Sequence, residues 1–341
     1  MQPSSPRAEH RLEQAWRGRG VLAALLLIPA LGFVVLRGIR QLAYRVGLLH
    51  VARLPVPVVV VGNLSVGGTG KTPLVIHLAQ TLGSAGERVG IVSRGYGRTV
   101  AAPHLVATDD APAAVGDEPL LIRRRAGCPV AVGRDRVAAA RLLLERHPET
   151  TVILSDDGLQ HLRLGRDLEV AVLADDSLGN RWPLPAGPLR DPLSRLGSVD
   201  AVAGGEEAVA LASTFRRPAF RLVRRIGVAY RLGDPAQPLD VGTLRGQTVH
   251  AVAGIAHPER FFSGLAGFGV EAVPHGFADH HAYRASDLDF GGGVILTTEK
   301  DAVKFAGLDI ALPVWVVPLE IDTEPGLAAF LLEKLHGRPP A

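Results

Sequence analysis

Short apolar runs alternate with amphipathic segments through the first half of the chain. Five runs have the length and β-branched content of buried parallel strands: 56–62, 87–93, 129–133, 151–157 and 168–175. The spacing of apolar positions between them predicts helices over 71–82 and 134–147. This order is typical of an α/β domain built on a mostly parallel sheet.

The pattern changes at 218–232, where apolar and polar residues alternate and helix signals are missing. This segment predicts a two-stranded β ribbon or a linker. An α/β pattern then resumes, with strands at 248–256, 293–299 and 314–320 and a helix near 258–268. We therefore expect four parts, with these boundaries: an N-terminal segment (1–50), a larger α/β domain (51–217), a ribbon linker (218–245) and a smaller α/β domain (246–341).

An almost unbroken apolar run, GVLAALLLIPALGFVVL, covers 20–36. As a helix it would be about 25 Å long, slightly short of the roughly 30 Å hydrocarbon core of a bilayer. Arginines flank both ends, so the positive-inside rule gives no orientation. Four interpretations stay open: a cleaved signal peptide, a single span, a helix in the membrane interface and a buried core helix. The basic flanks favour the interfacial helix.

Charge is unevenly distributed, although the net charge is only +3. No Asp or Glu occurs from Gln14 to Gly86, whereas six arginines and Lys71 do. A one-signed stretch predicts an anionic partner such as nucleic acid, acidic lipid or phosphate. Nucleic acid is disfavoured because the basic residues surround a lipid-like helix and aromatic residues make up only 5% of the chain.

Lysine is rare, with 4 among the 37 basic residues, so each lysine is a candidate for a specific chemical role. One lies in a Gly-rich loop, and two share the segment TTEKDAVK at 297–304. The full set is Lys71, Lys300, Lys304 and Lys334. The single cysteine, Cys128, rules out a disulfide framework.

The strand at 56–62 leads into NLSVGGTGKT at 63–72, which matches the phosphate-binding pattern G-x-x-x-x-G-K-[ST] except that Ser65 replaces the first glycine. Glycines let successive N–H groups point at phosphate oxygens, and the following helix adds its dipole. Lys71 would neutralise the β- and γ-phosphates of ATP. The predicted nucleotide-binding residues are Ser65, Val66, Gly67, Gly68, Thr69, Gly70, Lys71 and Thr72.

Phosphoryl transfer with ATP also needs Mg²⁺, and the sequence provides candidate ligands. The Thr72 hydroxyl can bind the ion directly. Asp156 and Asp157 follow the apolar strand TVIL, at the edge of the sheet where ligands bind in open α/β folds. A simple Asx turn at the strand end is the alternative interpretation.

Other polar clusters lie at predicted loops. SRGYGR contains Arg94, VGRDR contains Arg134, and LPAGPLRD contains Arg190 and Asp191. GDEP at 116–119 places two acids in a predicted loop, where solvated side chains are the usual outcome. Asp279-His280-His281 has three open interpretations: metal ligation, proton handling and an ordinary surface loop.

Taken together, these segments resemble the tetraacyldisaccharide 4′-kinase family. The matching segments occur in order over most of the chain: NLSVGGTGKTP, SRGYGR, GDEP, VGRDR, DDGLQH, LPAGPLR, Asp279-His280 and TEKDAVKF. The resemblance implies two α/β domains joined by a β ribbon. It also implies transfer of the ATP γ-phosphate to the 4′-hydroxyl of a lipid A disaccharide precursor, at the cytoplasmic face of the bacterial inner membrane.

The resemblance also implies roles for individual residues. Asp117 would be the catalytic base, assisted by His280 after domain closure, with Lys71 as a third catalytic residue. Asp156 and Asp157 would organise Mg²⁺. Arg190 and Asp191 would help to position substrate or metal. Arg94 and Arg134 are further candidate substrate-binding residues, and for the segment of Arg94 a plain turn is the alternative interpretation. The family commonly has Glu at the position of Asp191, which departs from the pattern.

We expect the enzyme to bind the inner-membrane lipid surface as a peripheral, monotopic or single-span protein, without nucleic acid or an obligate protein partner. The rival class is a P-loop GTPase or ATPase switch, in which hydrolysis drives partner binding. TEKD resembles a guanine-reading motif, but Lys300 and Asp301 are adjacent, so the spacing is wrong.

Overall fold

The computed structural model describes residues 12, 14–175, 177–324 and 326–337. The beginning of the predicted N-terminal segment and the last four residues lie outside this range. The strands in chain order are β1 (Val58–Gly62), β2 (Val89–Ser93), β3 (His104–Leu105), β4 (Val130–Val132), β5 (Val152–Asp156), β6 (Leu168–Leu173), β7 (Ala201–Gly204), β8 (Ala219–Ile226), β9 (Ala229–Arg231), β10 (Asp234–Leu239), β11 (Val249–Ala253), β12 (Ala272–Gly276), β13 (Val294–Thr298), β14 (Val314–Val317) and β15 (Leu319–Glu324).

From residue 20 onward the α-helices are α1 (Val21–Leu25), α2 (Leu27–Arg45), α3 (Lys71–Ser84), α4 (Pro112–Val115), α5 (Asp117–Ala126), α6 (Arg136–Arg146), α7 (Glu206–Thr214), α8 (Pro258–Ala266), α9 (Glu299–Ala302) and α10 (Leu327–His336). Short 3-10 helices occur at Leu193–Ser198, Val241–Leu244, Ala285–Leu288 and Val303–Phe305.

Nine strands form the larger sheet, in the order β15-β8-β7-β6-β1-β5-β2-β4-β3. The strands from β8 to β4 run parallel, and β15 and β3 pair antiparallel at the two edges. β1 (VVVVG) and β5 (VILSD) are buried along their whole length, as expected for strands covered by helices on both faces. The carboxyl ends of the parallel strands therefore share one edge.

A second sheet of six strands has the order β10-β9-β14-β13-β11-β12. Its central strands β14, β13, β11 and β12 are parallel. The predicted α/β fold with a P-loop-like sheet and a second, smaller α/β unit is thus confirmed. β15 and α10, which follow this sheet in the chain, pack against the larger sheet and its helix α3.

Two antiparallel strand pairs connect the sheets. β8 pairs with β15 in the larger sheet, and β9 pairs with β14 in the smaller one. Only Gly227 and Val228 separate β8 from β9, and only Pro318 separates β14 from β15. The strands at 218–232 therefore pair with C-terminal strands and not with each other, which local alternation could not reveal because it does not specify a partner.

The apolar N-terminal run forms two helices, α1 and α2, that meet at Leu26. The helix extends to Arg45, beyond the predicted end at residue 36. Only Ala30 of α2 is buried. In the described part of the chain, α2 is the one helix whose length and composition would allow it to cross a membrane.

Candidate active site

The phosphate loop connects β1 to α3 at the carboxyl edge of the larger sheet. Gly67 and Gly70 have φ values of 109° and 86°, in the left-handed region that glycine adopts without strain. Gly70 is the N-cap of α3, so Lys71 begins the helix. Ser65 is fully buried, and its carbonyl accepts a hydrogen bond of 3.1 Å from Arg190 Nε.

Asp156 ends the neighbouring strand β5 and is 2% exposed. Ser93 Oγ donates to its Oδ2 at 2.9 Å, and its Oδ1 has no protein hydrogen-bond partner among the described residues. Burial, together with the nearby carboxylates Glu118 and Asp157, raises the pKa of Asp156 to about 7.

Asp157 follows directly and has a φ of 47°, a conformation that favours Asn, Asp and Gly. Its carboxylate receives both Nη groups of Arg190, at 3.1 and 3.0 Å, and lies 3.7 Å from Lys71 Nζ. Burial alone would raise the pKa of Asp157, but Lys71 and Arg190 outweigh burial and lower it to about 2. Two adjacent carboxyls thus have very different proton affinities.

These residues fit a magnesium ion. Hard divalent cations prefer oxygen ligands, and Mg²⁺ at phosphate sites is usually held by one or two carboxylates. Asp156 Oδ1 is a buried carboxylate oxygen without a protein partner, and Asp157 lies beside it. Thr72 is in the first turn of α3. These three residues would hold the ion.

Arg190, which was predicted to bind substrate, contacts several protein groups in the structure. In addition to its contacts with Asp157 and Ser65, Arg190 donates a hydrogen bond from Nη2 to Asn63 Oδ1. It therefore ties the end of β5 to the start of the phosphate loop.

Asp191 is also bound within the protein. Arg37 Nε of α2 donates to its Oδ1 at 2.7 Å, and Gln160 Nε2 donates to its Oδ2 at 2.6 Å. Asp191 is 4% exposed. A cavity of about 370 Å³ opens beside this contact, with Phe33, Leu36 and Leu159 among its lining residues. The N-terminal helix is thus fastened next to the phosphate loop, a contact that sequence reasoning missed.

Asp117 begins α5. The prediction from the sequence that it lies in a loop is therefore wrong. Its carboxylate is in the first helical turn, where the helix dipole favours negative charge. Gly116 precedes it with a φ of 98°, and a Cβ there would lie 3.0 Å from the carbonyl oxygen of Tyr96. Glycine at this position therefore lets the SRGYGR and GDEP segments approach each other.

His280 of the smaller α/β unit contacts Asp117. The distance from His280 Nδ1 to Asp117 Oδ2 is 3.1 Å. Burial would raise the pKa of Asp117, but the hydrogen bond from His280 and the ammonium of Lys304 outweigh burial and lower it. Asp117 is therefore ionised at neutral pH.

Arg94 and Arg134 follow β2 and β4, as predicted, and both side chains are exposed. No hydrogen bond within the described residues fixes either of them. Arg136 is instead the buried arginine of this region, and it donates to the carbonyl of Asp157 at 2.8 Å. Sequence reasoning missed Arg136, although it adjoins Arg134 in the same VGRDR segment.

Comparison with known proteins adds the family context. A sequence model of the LpxK family, described as tetraacyldisaccharide-1-P 4′-kinase, matches residues 22–336. Proteins named tetraacyldisaccharide 4′-kinase are similar to this chain. One from Azoarcus sp. (strain BH72) is 50% identical over 96% of each chain. One from Alkalilimnicola ehrlichii is 51% identical over 94% of each.

A solved structure is also similar. It is the crystal structure of LpxK from Aquifex aeolicus in complex with ATP, which is 30% identical to this chain. The TM-score is 0.79, and the match covers 92% of this chain and 100% of that one.

Proposed function

The chain belongs to the tetraacyldisaccharide-1-P 4′-kinase family, and from this premise we propose how its residues divide the reaction. It is a kinase of lipid A biosynthesis that uses ATP to phosphorylate the 4′-hydroxyl of tetraacyldisaccharide 1-phosphate. The observation that carries our proposal is the 3.1 Å contact between Asp117 and His280, because it joins the two α/β units at an ionised carboxylate.

At the nucleotide end, the N–H groups of residues 65–72 and Lys71 hold the phosphates of ATP. Thr72, Asp156 and Asp157 would hold Mg²⁺, which when bound would neutralise charge on the phosphates of ATP. Arg190 keeps Asp157 in place through two parallel hydrogen bonds.

At the other end, Asp117 accepts the proton of the 4′-hydroxyl, and His280 orients its carboxylate. A carboxylate with a lowered pKa is a weak base, yet it suffices here. The transition state of phosphoryl transfer is loose, so the attacking hydroxyl needs little activation before bond formation. Positioning of the hydroxyl therefore matters more than the strength of the base.

The test follows phosphate from labelled ATP to the purified disaccharide 1-phosphate. Asp117→Ala should lower kcat at least about 10²-fold, the scale of general-base catalysis. Asp109→Ala changes an exposed acid of a nearby loop and should leave kcat unchanged. Near-wild-type turnover of the Asp117 variant would contradict the assignment. Release of phosphate only to water would favour the switch class instead.

We further propose that α1 and α2 bind the lipid surface at the cytoplasmic face of the inner membrane. Ile28, Leu31 and Val35 are 81%, 66% and 51% exposed, an arrangement typical of a surface that is covered by lipid. The Arg37–Asp191 contact would place this surface beside the phosphate loop, and the adjoining cavity would receive part of the acylated substrate.

Replacement of Ile28, Leu31 and Val35 with Gln tests this part separately, as does deletion of residues 1–36. Both variants should move the protein from the membrane fraction to the soluble fraction, since each removes apolar area from the bilayer. A control triple substitution of exposed residues on α7, Glu206, Ala210 and Ser213 to Gln, should not change fractionation. Unchanged membrane binding of both variants would show that another surface is the main anchor.

A further inference from the structure

Two of the four lysines in the chain lie at the contact between the two α/β units. Lys300 belongs to α9, and Lys304 belongs to the 3-10 helix that follows it. Lys304 Nζ is 2.7 Å from Asp301 Oδ1 and 3.8 Å from Asp117 Oδ2. Lys304 thus lies between two carboxylates, Asp301 and Asp117, whereas Lys300 has different partners.

Lys300 joins the two units through its ammonium group. Its Nζ donates to Glu118 Oε1 on α5 at 3.0 Å and to Asp279 Oδ1 of the smaller unit at 2.9 Å. Burial alone would lower the pKa of Lys300, but these two carboxylates outweigh burial and raise it. The ammonium therefore stays charged, and all its hydrogens are available as donors.

The same ammonium also lies 3.5 Å from His280 Nε2. Asp279 Oδ2 also lies near Nε2, but at the longer distance of 3.8 Å. An ammonium only donates hydrogen bonds, so its contact favours Nε2 as the acceptor nitrogen of the ring. The ring proton then lies on Nδ1, which is the nitrogen that faces Asp117 Oδ2. Lys300 and Asp117 thus approach opposite nitrogens of one imidazole, and both contacts require the same tautomer.

The backbone of His280 shows that its surroundings must hold it in place. Its φ is 61°, in the left-handed region, which costs a non-glycine residue free energy unless its contacts compensate. The ring of Tyr96, from the larger unit, lies 5.3 Å from the imidazole. Asp279, the residue before His280, is held by Lys300. His280 is thus fixed at its ring and at its neighbour in the chain.

We propose that Lys300 is a positioning residue that fixes the orientation and tautomer of His280, and through it aims the Asp117 carboxylate at the acceptor hydroxyl. This inference rests on the proposed roles of Asp117 and His280. The Glu118 contact makes the effect depend on closure, because Lys300 reaches α5 only when the two units meet. Lysine suits this position because its compact ammonium group has rotatable donors that can reach three acceptors, Glu118, Asp279 and His280. The planar guanidinium of arginine fits such an arrangement less well.

The experiment is a double-mutant cycle on the full-length enzyme with the disaccharide 1-phosphate as acceptor. It compares wild type, Lys300→Met, His280→Ala and the double variant. Lys300→Met should lower kcat about 10-fold or more, while KM for ATP stays within about 3-fold. His280→Ala should lower kcat about 10²-fold. The double variant should be no more than about 3-fold slower than His280→Ala, because Lys300 acts through His280.

Arg125→Met is the matched control. Arg125 of α5 pairs with Glu299 of α9, so it belongs to the same contact between units but does not touch His280. Its effect on kcat should multiply with that of His280→Ala. Lys300→Arg should recover part of the activity lost in Lys300→Met, because it restores a cation beside Glu118 and Asp279.

Each result has one meaning. If the losses from Lys300→Met and His280→Ala multiply, or if Lys300→Met turns over like wild type, the positioning role is overturned. If His280→Ala itself is near wild type, the proposed role of His280 fails, and this inference fails with it. Should Lys300→Met not fold, Asp279→Asn removes a more exposed partner of Lys300 and takes its place in the same cycle.

Discussion

The two ends of the candidate active site are built in different ways. At the nucleotide end, the phosphate loop, Asp156, Asp157 and Arg190 all belong to the larger sheet and its loops. At the base end, Asp117 comes from the larger unit, whereas His280 and Lys300 come from the smaller one. One end is complete within a single unit, and the other exists only where two units touch.

We expect this difference to separate nucleotide binding from the phosphoryl-transfer step. The ion pairs around Asp157 lie within the larger unit, so we expect nucleotide binding not to need closure. The hydrogen bonds of Asp117 and Lys300 would be lost on opening, so the base end is assembled with the closed state. Closure of this kind completes a catalytic site only after substrate is bound. Changes at the nucleotide end should therefore alter ATP affinity, and changes at the base end should alter kcat alone.

Lys71→Met should have the largest effect. It removes the charge that faces the phosphates and frees Asp157 from one of its cations. We expect kcat/KM for ATP to fall about 10³-fold, the upper scale for loss of one preorganised electrostatic contact. Steady-state kinetics and ATP binding measured by calorimetry would both show it. Lys334→Met, in the last turn of α10, is the control and should behave as wild type.

Arg190→Met should come next. It leaves Asp157 with Lys71 as its nearest side-chain cation and releases the carbonyl of Ser65. We expect kcat/KM to fall about 10²-fold, with most of the loss in affinity for ATP and Mg²⁺, since Arg190 acts on the ligand-binding loop. Arg195→Met removes another arginine–carboxylate pair, with Glu169, and should affect stability only. A loss confined to kcat would contradict the comparison of the two ends.

The smallest expected effect is one on the stability of the metal-free protein, and Asp156→Asn reveals it. The pKa of Asp156 is raised from an ordinary value of 3.8 to about 7, so the folded state holds its proton more tightly than the unfolded chain. Stability of the metal-free protein should therefore fall as pH rises from 5 to 8, by about 2 kcal/mol from this group. Chemical denaturation at several pH values gives the free energy of unfolding as a function of pH, and the variant should lack this part of the pH dependence. Equal slopes would show that Asp156 ionises normally.

Much of the fold could be predicted from local patterns. The strands β1, β2, β4, β5 and β6 were predicted to within two residues at each end, because buried parallel strands form continuous apolar runs. The regions of β3, β7 and α7 were missed, since their apolar patterns are short and lack clear signals at their ends. Asp117 and Glu118 were assigned to a loop, although α5 begins there.

The candidate site, like the fold, could be predicted only in part from the sequence. The phosphate loop and the two aspartates at the end of β5 were predicted because each lies at the end of a strand in one continuous sheet. The internal partners of Arg190 and Asp191 were not predicted, nor was the link from Arg37 to Asp191. These contacts join residues more than 30 positions apart, and no local spacing encodes them.

By itself, the sequence determined the two α/β units, the phosphate loop, the apolar N-terminal helix and the order of the family's motifs. Each of these depends on neighbouring residues, whose side-chain periodicity and backbone preferences act locally. Only the tertiary structure decided which strands form the connecting ribbon, that Arg37 fastens the N-terminal helix beside the phosphate loop, and that Lys300 faces His280. The reason is physical: hydrogen bonds and ion pairs depend on distance in space, and packing of the two sheets sets those distances.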